Sequence, residues 1–481
     1  MTETGRTEAA GPPPTEAITA TATADVDAFG PRLMAPLLIG SVLNPVNSTM
    51  IATGLVAIGH DFGVGAAQTA WLVASLYLAS AVGQPAMGRL ADLLGPRRIF
   101  LCGLLLVGAA GLVGALAPGF GWLIGSRVLL GVGTSAAYPA AMALLRAQSA
   151  ATGQETPRTV LGRLSLASLG SAAVGPVLGG LLTATVGWRA IFAVNVPLAL
   201  IGTVLALLWL PKTRLTPADG ARERTARGML DPLGVLLFSA TLTTAMIFLM
   251  NLERPNWALL PAVLVLAAAL TWWQLRRARP FIDLRMLARN RALTVTYLRH
   301  GAAYLIIYMV MYGYAQWLEE GHGYSPSHAG LIMLPMSAAA AVCSLLAART
   351  KGIYAPLVLA AVLLAAGSAL LLLADDATPL AGLLLAAVLF GLPQGLFSTG
   401  NQAAVYTQAP RESVGAAAGL QRTSQYLGAI TAAGLIGLFY GQRATAAGLH
   451  GIALVAGALS LAVLVLTATD RALRTRSAAL T

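Results

Sequence analysis

The sequence predicts an all-α polytopic membrane protein with fourteen transmembrane helices, and three observations predict it. The 481-residue chain is 57% hydrophobic and only 10% charged, far more apolar than a soluble domain. Fourteen apolar stretches can be laid end to end, each of about 20 residues and so long enough to cross the hydrocarbon as a helix. Finally, 25 of the 31 Lys and Arg fall in tails, alternate loops or the adjoining ends of spans, which the retention of cations assigns to the cytoplasm. The opposite loops carry Asp61, Glu253, Glu319, Glu320, Asp375 and Asp376 instead. An even number of spans fits this pattern, with both termini cytoplasmic and the chain multi-pass in the plasma membrane.

The same composition excludes other classes. The net charge of +12 is dispersed among loops rather than gathered on one face, so no nucleic-acid partner is expected. Cys102 and Cys343 both fall inside spans, too few and too deep for a disulfide framework. With no HExxH, no Cys-x-x-Cys and no spaced carboxylate pair, neither enzyme chemistry nor a metal or organic cofactor is expected.

Residues 1–30 are rich in Ala, Thr and Pro, and five acids face a single Arg6. Without the basic start or apolar core of a signal peptide, they read as a disordered cytoplasmic tail. The spans follow at 32–58, 69–87, 99–117, 121–145, 160–185, 188–210, 229–250, 256–274, 292–317, 326–347, 353–374, 378–403, 412–440 and 448–468. A polar stretch, Pro211 to Gly228, and a basic one, Arg276 to Arg291, interrupt them. The division is therefore a six-helix bundle over 31–210, linkers with two extra central helices over 211–291, a second six-helix bundle over 292–468, and a tail over 469–481. Two such bundles with a site near mid-membrane are a common build of secondary transporters.

After the second span the chain reads GRLADLLGPRR, Gly88 to Arg98. Its glycines permit a tight turn between close helices, and Asp92 can accept from helix-end amides and basic partners. This loop resembles the signature of the major facilitator superfamily, Gly-x-Leu-Ala-Asp-x-x-Gly-x-Arg-Arg, matched by Gly88, Leu90, Ala91, Asp92, Gly95, Arg97 and Arg98. The resemblance implies a conformational gate at Gly88, Asp92, Gly95, Arg97 and Arg98, a charged latch released when two bundles rock.

In the fourth span RVLLGVG, Arg127 to Gly133, matches the family's Arg-x-x-x-Gly-x-Gly. An Arg roughly 10 Å inside a span is costly in lipid and should face a wet or polar interior. It either lines the path or pairs with helix carbonyls. In the fifth span LGSAAVGPVLGG, Leu169 to Gly180, resembles the superfamily's GPxxGG element, associated with export by antiport. Gly175, Gly179 and Gly180 let backbones approach, and Pro176 bends the helix. WRAIFAVNVP (Trp188 to Pro197), DPLGVLLFSA (Asp231 to Ala240) and GAAAGLQRTSQYLG (Gly415 to Gly428) are similar to segments of the fourteen-helix drug:proton antiporters, the EmrB/QacA-like multidrug exporters. The resemblance covers residues 31–468. It weakens in the second bundle, where the counterpart of the loop signature has decayed to ARTKG, Ala348 to Gly352.

The first span of that family lines the path and carries Asp-x-Thr, whereas this chain reads LNPVNSTM, Leu43 to Met50, with Asn47 at the acid's place. Asn44, Asn47, Ser48 and Ile51 share a helix face. Polar groups at membrane depth survive only against protein or water. The face therefore borders an aqueous cavity, or its amides bond neighbouring helices at about 1 kcal/mol each. An amide takes up no proton near neutral pH, and no Asp or Glu falls in the middle of a predicted span. The candidates for proton coupling are His300 beside Arg299 in the ninth span, and Asp61, Glu319 and Glu320 near outer ends; a packed His is the competing reading.

Tyr304, Tyr308 and Tyr312 recur at i, i+4 and i+8, with Tyr297 a heptad earlier. They suit flat, partly apolar solutes, or else pack as core. Gln394, Phe397, Ser398 and Asn401 of the twelfth span complete the expected cavity. The reading is a monomeric, alternating-access exporter in the lipid bilayer that exchanges amphipathic small-molecule drugs or antibiotics for protons, with the proton gradient as energy source. Neutral or anionic substrates are favoured, with Arg127 as counter-charge. The alternative is a dedicated exporter of one metabolite, antibiotic or lipid on the same fold.

Overall fold

The computed structural model describes residues 29–153, 158–211, 231–277, 280–350, 352–409 and 414–478, and their regular structure is helical throughout. The first span is a bent pair: α1 (Pro31–Met50) and α2 (Leu55–Phe62) meet at 60° across a 3-10 turn, Ile51–Thr53. Next come α3 (Ala66–Leu94), α4 (Pro96–Ala115), α5 (Phe120–Thr152) and α6 (Arg158–Thr185). The sixth span is divided into α7 (Arg189–Ala193) and α8 (Asn195–Trp209). After them run α9 (Pro232–Met250), α10 (Leu259–Arg276), the short α11 (Leu284–Arg289) and α12 (Arg291–Glu320). The chain closes with α13 (Pro326–Ala347), α14 (Tyr354–Leu371), α15 (Leu380–Gln408), α16 (Val414–Tyr440), α17 (Ala446–Ala468) and α18 (Arg471–Ala478).

Local chemistry sets several boundaries. Pro occupies the first helical positions of α1, α4, α9 and α13, where its missing N–H would be unpaired in any case. Asp231, Asn290, Ser325 and Thr445 accept from the opening backbone amides of α9, α12, α13 and α17. Gly95 alone joins α3 to α4, at φ 91°, a left-handed backbone that a side chain resists.

Eleven described helices are long and apolar enough to cross a membrane, and twelve if the bent first pair counts as one span. The fourteen apolar spans expected from hydropathy are thus not all apolar. The 30-residue α12 and the 27-residue α16 fall short of that measure. The reason for α12 is position: it is buried along nearly its whole length, and a helix enclosed by protein needs no lipid-compatible surface.

Helices α1 to α8 pack among themselves through α1–α6, α3–α5, α4–α5 and α4–α8, and helices α12 to α17 through α12–α16, α13–α15 and α14–α17. The two sets meet along α3–α16 and α6–α13, with α9 leaning on both α3 and α16. Glycines permit the second seam. A methyl at Gly180 would strike the Pro326 carbonyl and one at Gly330 the Pro176 carbonyl, while Gly175 and Gly179 lie against Thr49 and Met50 of α1. So α6 is wedged between α1 and α13 with no room for side chains. At one end the sets are tied by a backbone hydrogen bond, Ala67 N to Gly441 O at 2.8 Å.

A methyl at Gly179 has no free space, whereas one at Gly170 of the same helix meets nothing within 4 Å. Gly179→Ala is expected to lower unfolding free energy by about 1–3 kcal/mol, and Gly170→Ala to raise it by up to about 1 kcal/mol through helix propensity. Thermal melting of the detergent-purified protein compares the two.

Candidate functional site

The small residues Ala172 and Ala173, beside Pro176 of α6, leave a cavity between the two helix sets with room inside for about 50 Å³. Its second wall comes from α12, α13 and α15, chiefly Tyr304, Met311, Met333, Met336, Gln394 and Ser398. Of the residues expected at such a site, the structure brings Tyr304, Gln394 and Ser398 there. The methionines were not singled out in the sequence, although Met333 and Met336 are one helical turn apart. A thioether on three rotatable bonds adapts to varied apolar partners.

The first-span amides are placed elsewhere. Asn47 is 1% exposed and exchanges two amide hydrogen bonds with Asn195 of α8, at 2.5 and 2.8 Å. Asn44 donates to Thr134 of α5 at 2.9 Å. Ser48 and Thr49 hydroxyls donate back to carbonyls one turn earlier. The face that the helical period assigns to water is thus split between α5 and α8, because each polar group finds a partner inside the protein. Thr49 alone of this stretch reaches the cavity.

Arg127 does not line the cavity either. Its Nε donates to the Leu72 carbonyl at 3.0 Å and its Nη1 to the Asn47 carbonyl at 3.3 Å. It pins α5 to α3 and α1, its Nη2 is buried without a partner, and its side chain stays outside the cavity lining where a substrate's counter-charge was expected.

The tyrosine stripe divides in two. Tyr304 faces the cavity, while Tyr308 and Tyr312 stack at 6.0 Å against the opposite set. Tyr77 of α3 packs 5.1 Å from the Tyr308 ring and its hydroxyl lies 2.9 Å from that of Tyr312. Tyr312 in turn donates to the Ser48 carbonyl at 2.6 Å. Gln425 donates to Tyr308 and Gln84 to Tyr426, both at 2.7 Å. These hydroxyls and rings form the contact between the helix sets.

Below it, Arg299 is fully buried and holds Asn401 Oδ1 at 2.9 Å, Thr296 Oγ1 at 3.1 Å and Asp470 Oδ2 at 3.0 Å. His300 presents Nδ1 to the Asn401 amide at 3.3 Å and packs 4.6 Å from the Tyr304 ring. Asn401 therefore orders Arg299 and His300 rather than lining the cavity. Asp470 was invisible to a map of spans, since it lies just past α17 and folds back under the bundle. The only hint was a carboxylate directly before the basic run Arg471 to Arg476.

The remaining candidates separate by environment. Asp61 pairs with Arg189 at 2.9 Å with both half-exposed and accepts from Trp188 Nε1. Glu320 accepts from the Ala444 amide. Glu319, just past the ninth predicted span, is buried with Oε1 unpartnered. Burial, and after it the charge of Glu320, holds its carboxyl well above the usual carboxylate range. In the gate loop Gly95 makes its left-handed turn, Gly88 lies near Pro139, and Arg97 donates to the Leu207 carbonyl at 2.8 Å. Arg98 is exposed, and the side chain of Asp92 lies outside the described residues.

The sequence profile of the Major Facilitator Superfamily matches residues 37–433 and 296–479. The chain belongs to the major facilitator superfamily. An uncharacterized MFS-type transporter of Bacillus subtilis, YwoD, is 34% identical over 412 residues, 85% of this chain and 90% of that protein. The puromycin resistance protein pur8 of Streptomyces alboniger is 32% identical over 86% of this chain and 83% of its own. The tetracenomycin C resistance and export protein of Streptomyces glaucescens is 28% identical, over 86% and 76%. Among solved structures, a peptide transporter in complex with alafosfalin superposes with TM-score 0.66 at 16% identity, covering 96% of this chain and 99% of that one. This superfamily member is a multi-pass membrane transporter of small molecules and not an enzyme.

Removing one partner of the Arg299–Asp470 pair leaves a buried charge uncompensated. Arg299→Gln and Asp470→Asn are each expected to cost about 3–5 kcal/mol, and the double variant to recover much of the loss. A double-mutant cycle of thermal melting curves in detergent checks this.

Proposed function

We propose that the protein exports amphipathic drugs or antibiotics in exchange for protons, by alternating access. The observation that carries this is a cavity between two sets of helices, built from an aromatic ring, thioethers and a few amide and hydroxyl groups, in a chain whose relatives include named antibiotic-resistance and export proteins. Such a lining accepts varied apolar bodies and few fixed charges. In this reading the chain crosses the membrane fourteen times as six, two and six helices, both termini are cytoplasmic in the plasma membrane, and the protein works as a monomer. The end tied by Ala67 and Gly441 is then the outer end, closed while the cavity loads from the cytoplasm. The GPxxGG glycines form the seam along which α6 parts from α13.

Proton exchange needs a group that binds protons from outside. Glu319 suits the uptake step, because opening of the seam would wet it to the outside, and burial on closing favours its neutral, protonated form at the outer end of α12. A second reading is favoured by the names of the relatives, two of which are tied to single compounds, tetracenomycin C and puromycin: export of one metabolite. Resistance profiling across unrelated compounds separates the two, since a dedicated exporter protects against one.

In everted vesicles an imposed pH gradient is expected to drive accumulation of an amphipathic fluorescent dye with a matching proton flux. Dye that binds but never accumulates would sink the exporter reading. Glu319→Gln is expected to keep dye binding and to lose gradient-driven accumulation; gradient-driven accumulation at the parent's rate would remove Glu319 from the coupling.

A further inference from the structure

A fixed positive charge lies close to the cavity, behind its lining. Arg422 of α16 lies on the same face as Gln425 and Tyr426, three and four residues on; Tyr426 accepts from Gln84 across the contact between the helix sets, and Gln425 donates to Tyr308 within its own set. Its guanidinium sits 4.7 Å from the ring centroid of Tyr138 on α5, so it bridges the two sets beside the cavity. Its charge acts on both the lining Tyr304 hydroxyl and the His300 ring next to it.

Among the described residues nothing of opposite sign answers it. The described ion pairs join Arg189 to Asp61, Arg277 to Asp231 and Arg299 to Asp470, and none includes Arg422. No Asp or Glu lines the cavity. Of the buried carboxylates, Asp470 is taken by Arg299, Asp231 caps α9, and Glu319 lies 19 residues along α12 from His300, about 28 Å away. Asn47 supplies no charge.

We propose that Arg422 selects for flat aromatic ligands that carry an acidic oxygen, a carboxylate or phenolate, over their cationic counterparts. This names the substrate class of the cavity already described and rests on its being a binding site. The ligand's ring system lies among Tyr304 and the methionines, whose soft surfaces accept a flat apolar face. Its anionic oxygen meets the planar guanidinium fork, which pairs with carboxylates through two parallel N–H donors. Contact with Tyr138 and a hydrogen bond to Tyr426 hold the fork in place without neutralising it. A permanent cation finds no counter-ion and is repelled by Arg422 in a desolvated setting.

Two xanthene dyes with the same ring system test this: fluorescein, which bears a carboxylate, and rhodamine 6G, an esterified permanent cation. Equilibrium binding to the purified full chain is expected to be at least about tenfold tighter for fluorescein. Arg422→Gln is expected to weaken fluorescein and bring the two within about threefold, Arg422→Lys to retain part of the preference, and Arg443→Gln at the far end to leave it unchanged. If Arg422→Gln does not fold, the parent ratio and the Arg422→Lys variant decide. Equal or tighter binding of rhodamine 6G by the parent overturns the proposal, as does an unchanged ratio in a folded Arg422→Gln protein. In energised vesicles, dye bound selectively but not accumulated sinks the exporter reading and leaves charge selection standing. Dye accumulated regardless of charge does the reverse.

Discussion

A polar group held at membrane depth must find its partner within the protein, because hydrocarbon offers none. That constraint explains most of the internal architecture. Arg127 spends its guanidinium on two helix carbonyls, Asn47 spends its amide on Asn195, and Arg299 is enclosed by Asn401, Thr296 and Asp470. Each of these contacts fixes the rotation of one helix against another. Together they hold two rigid sets of helices, and motion is left to the seams between them.

The seams are built differently. Along α6 and α13 the contact is backbone on backbone, allowed by Gly180 and Gly330, and close approach of this kind gains only dispersion and weak contacts. Along α3 and α16 it is aromatic and hydrogen-bonded, through Tyr77, Tyr312 and Tyr426. Neither seam contains an ion pair among the described residues. Surfaces of this kind can part and re-form without stranding a buried charge, as a rocking transporter requires.

Electrostatics then separates the roles of the charged residues. Inside the helix sets cations are paired with carbonyls or with Asp470. Near the cavity Arg422 meets the Tyr138 ring and the Tyr426 hydroxyl, and no described ion pair includes it. Near the outer end of α12 a carboxyl is buried with an unpartnered oxygen. The lined cavity and this carboxyl lie far apart along the same helix, so in the proposed exchange any coupling between them would be carried by the helix sets as bodies rather than by direct contact.

The sequence by itself determined the helical class, the superfamily through Gly88 to Arg98, and the role of the fifth-span glycines in close packing, because hydropathy, turn chemistry and the absence of side chains are local properties. It also marked Tyr304 and Gln394, whose spacing assigns them to interior faces. Only the tertiary structure decided that Asn47 faces Asn195, that Asp470 folds back onto Arg299, and that three methionines shape the cavity. It decided as well that Tyr308 and Tyr312 belong to the contact between helix sets and Tyr304 to the cavity. The physical reason is that periodicity states which residues share a face, whereas the rotation and neighbours of each helix, set by packing across the whole bundle, decide what that face meets.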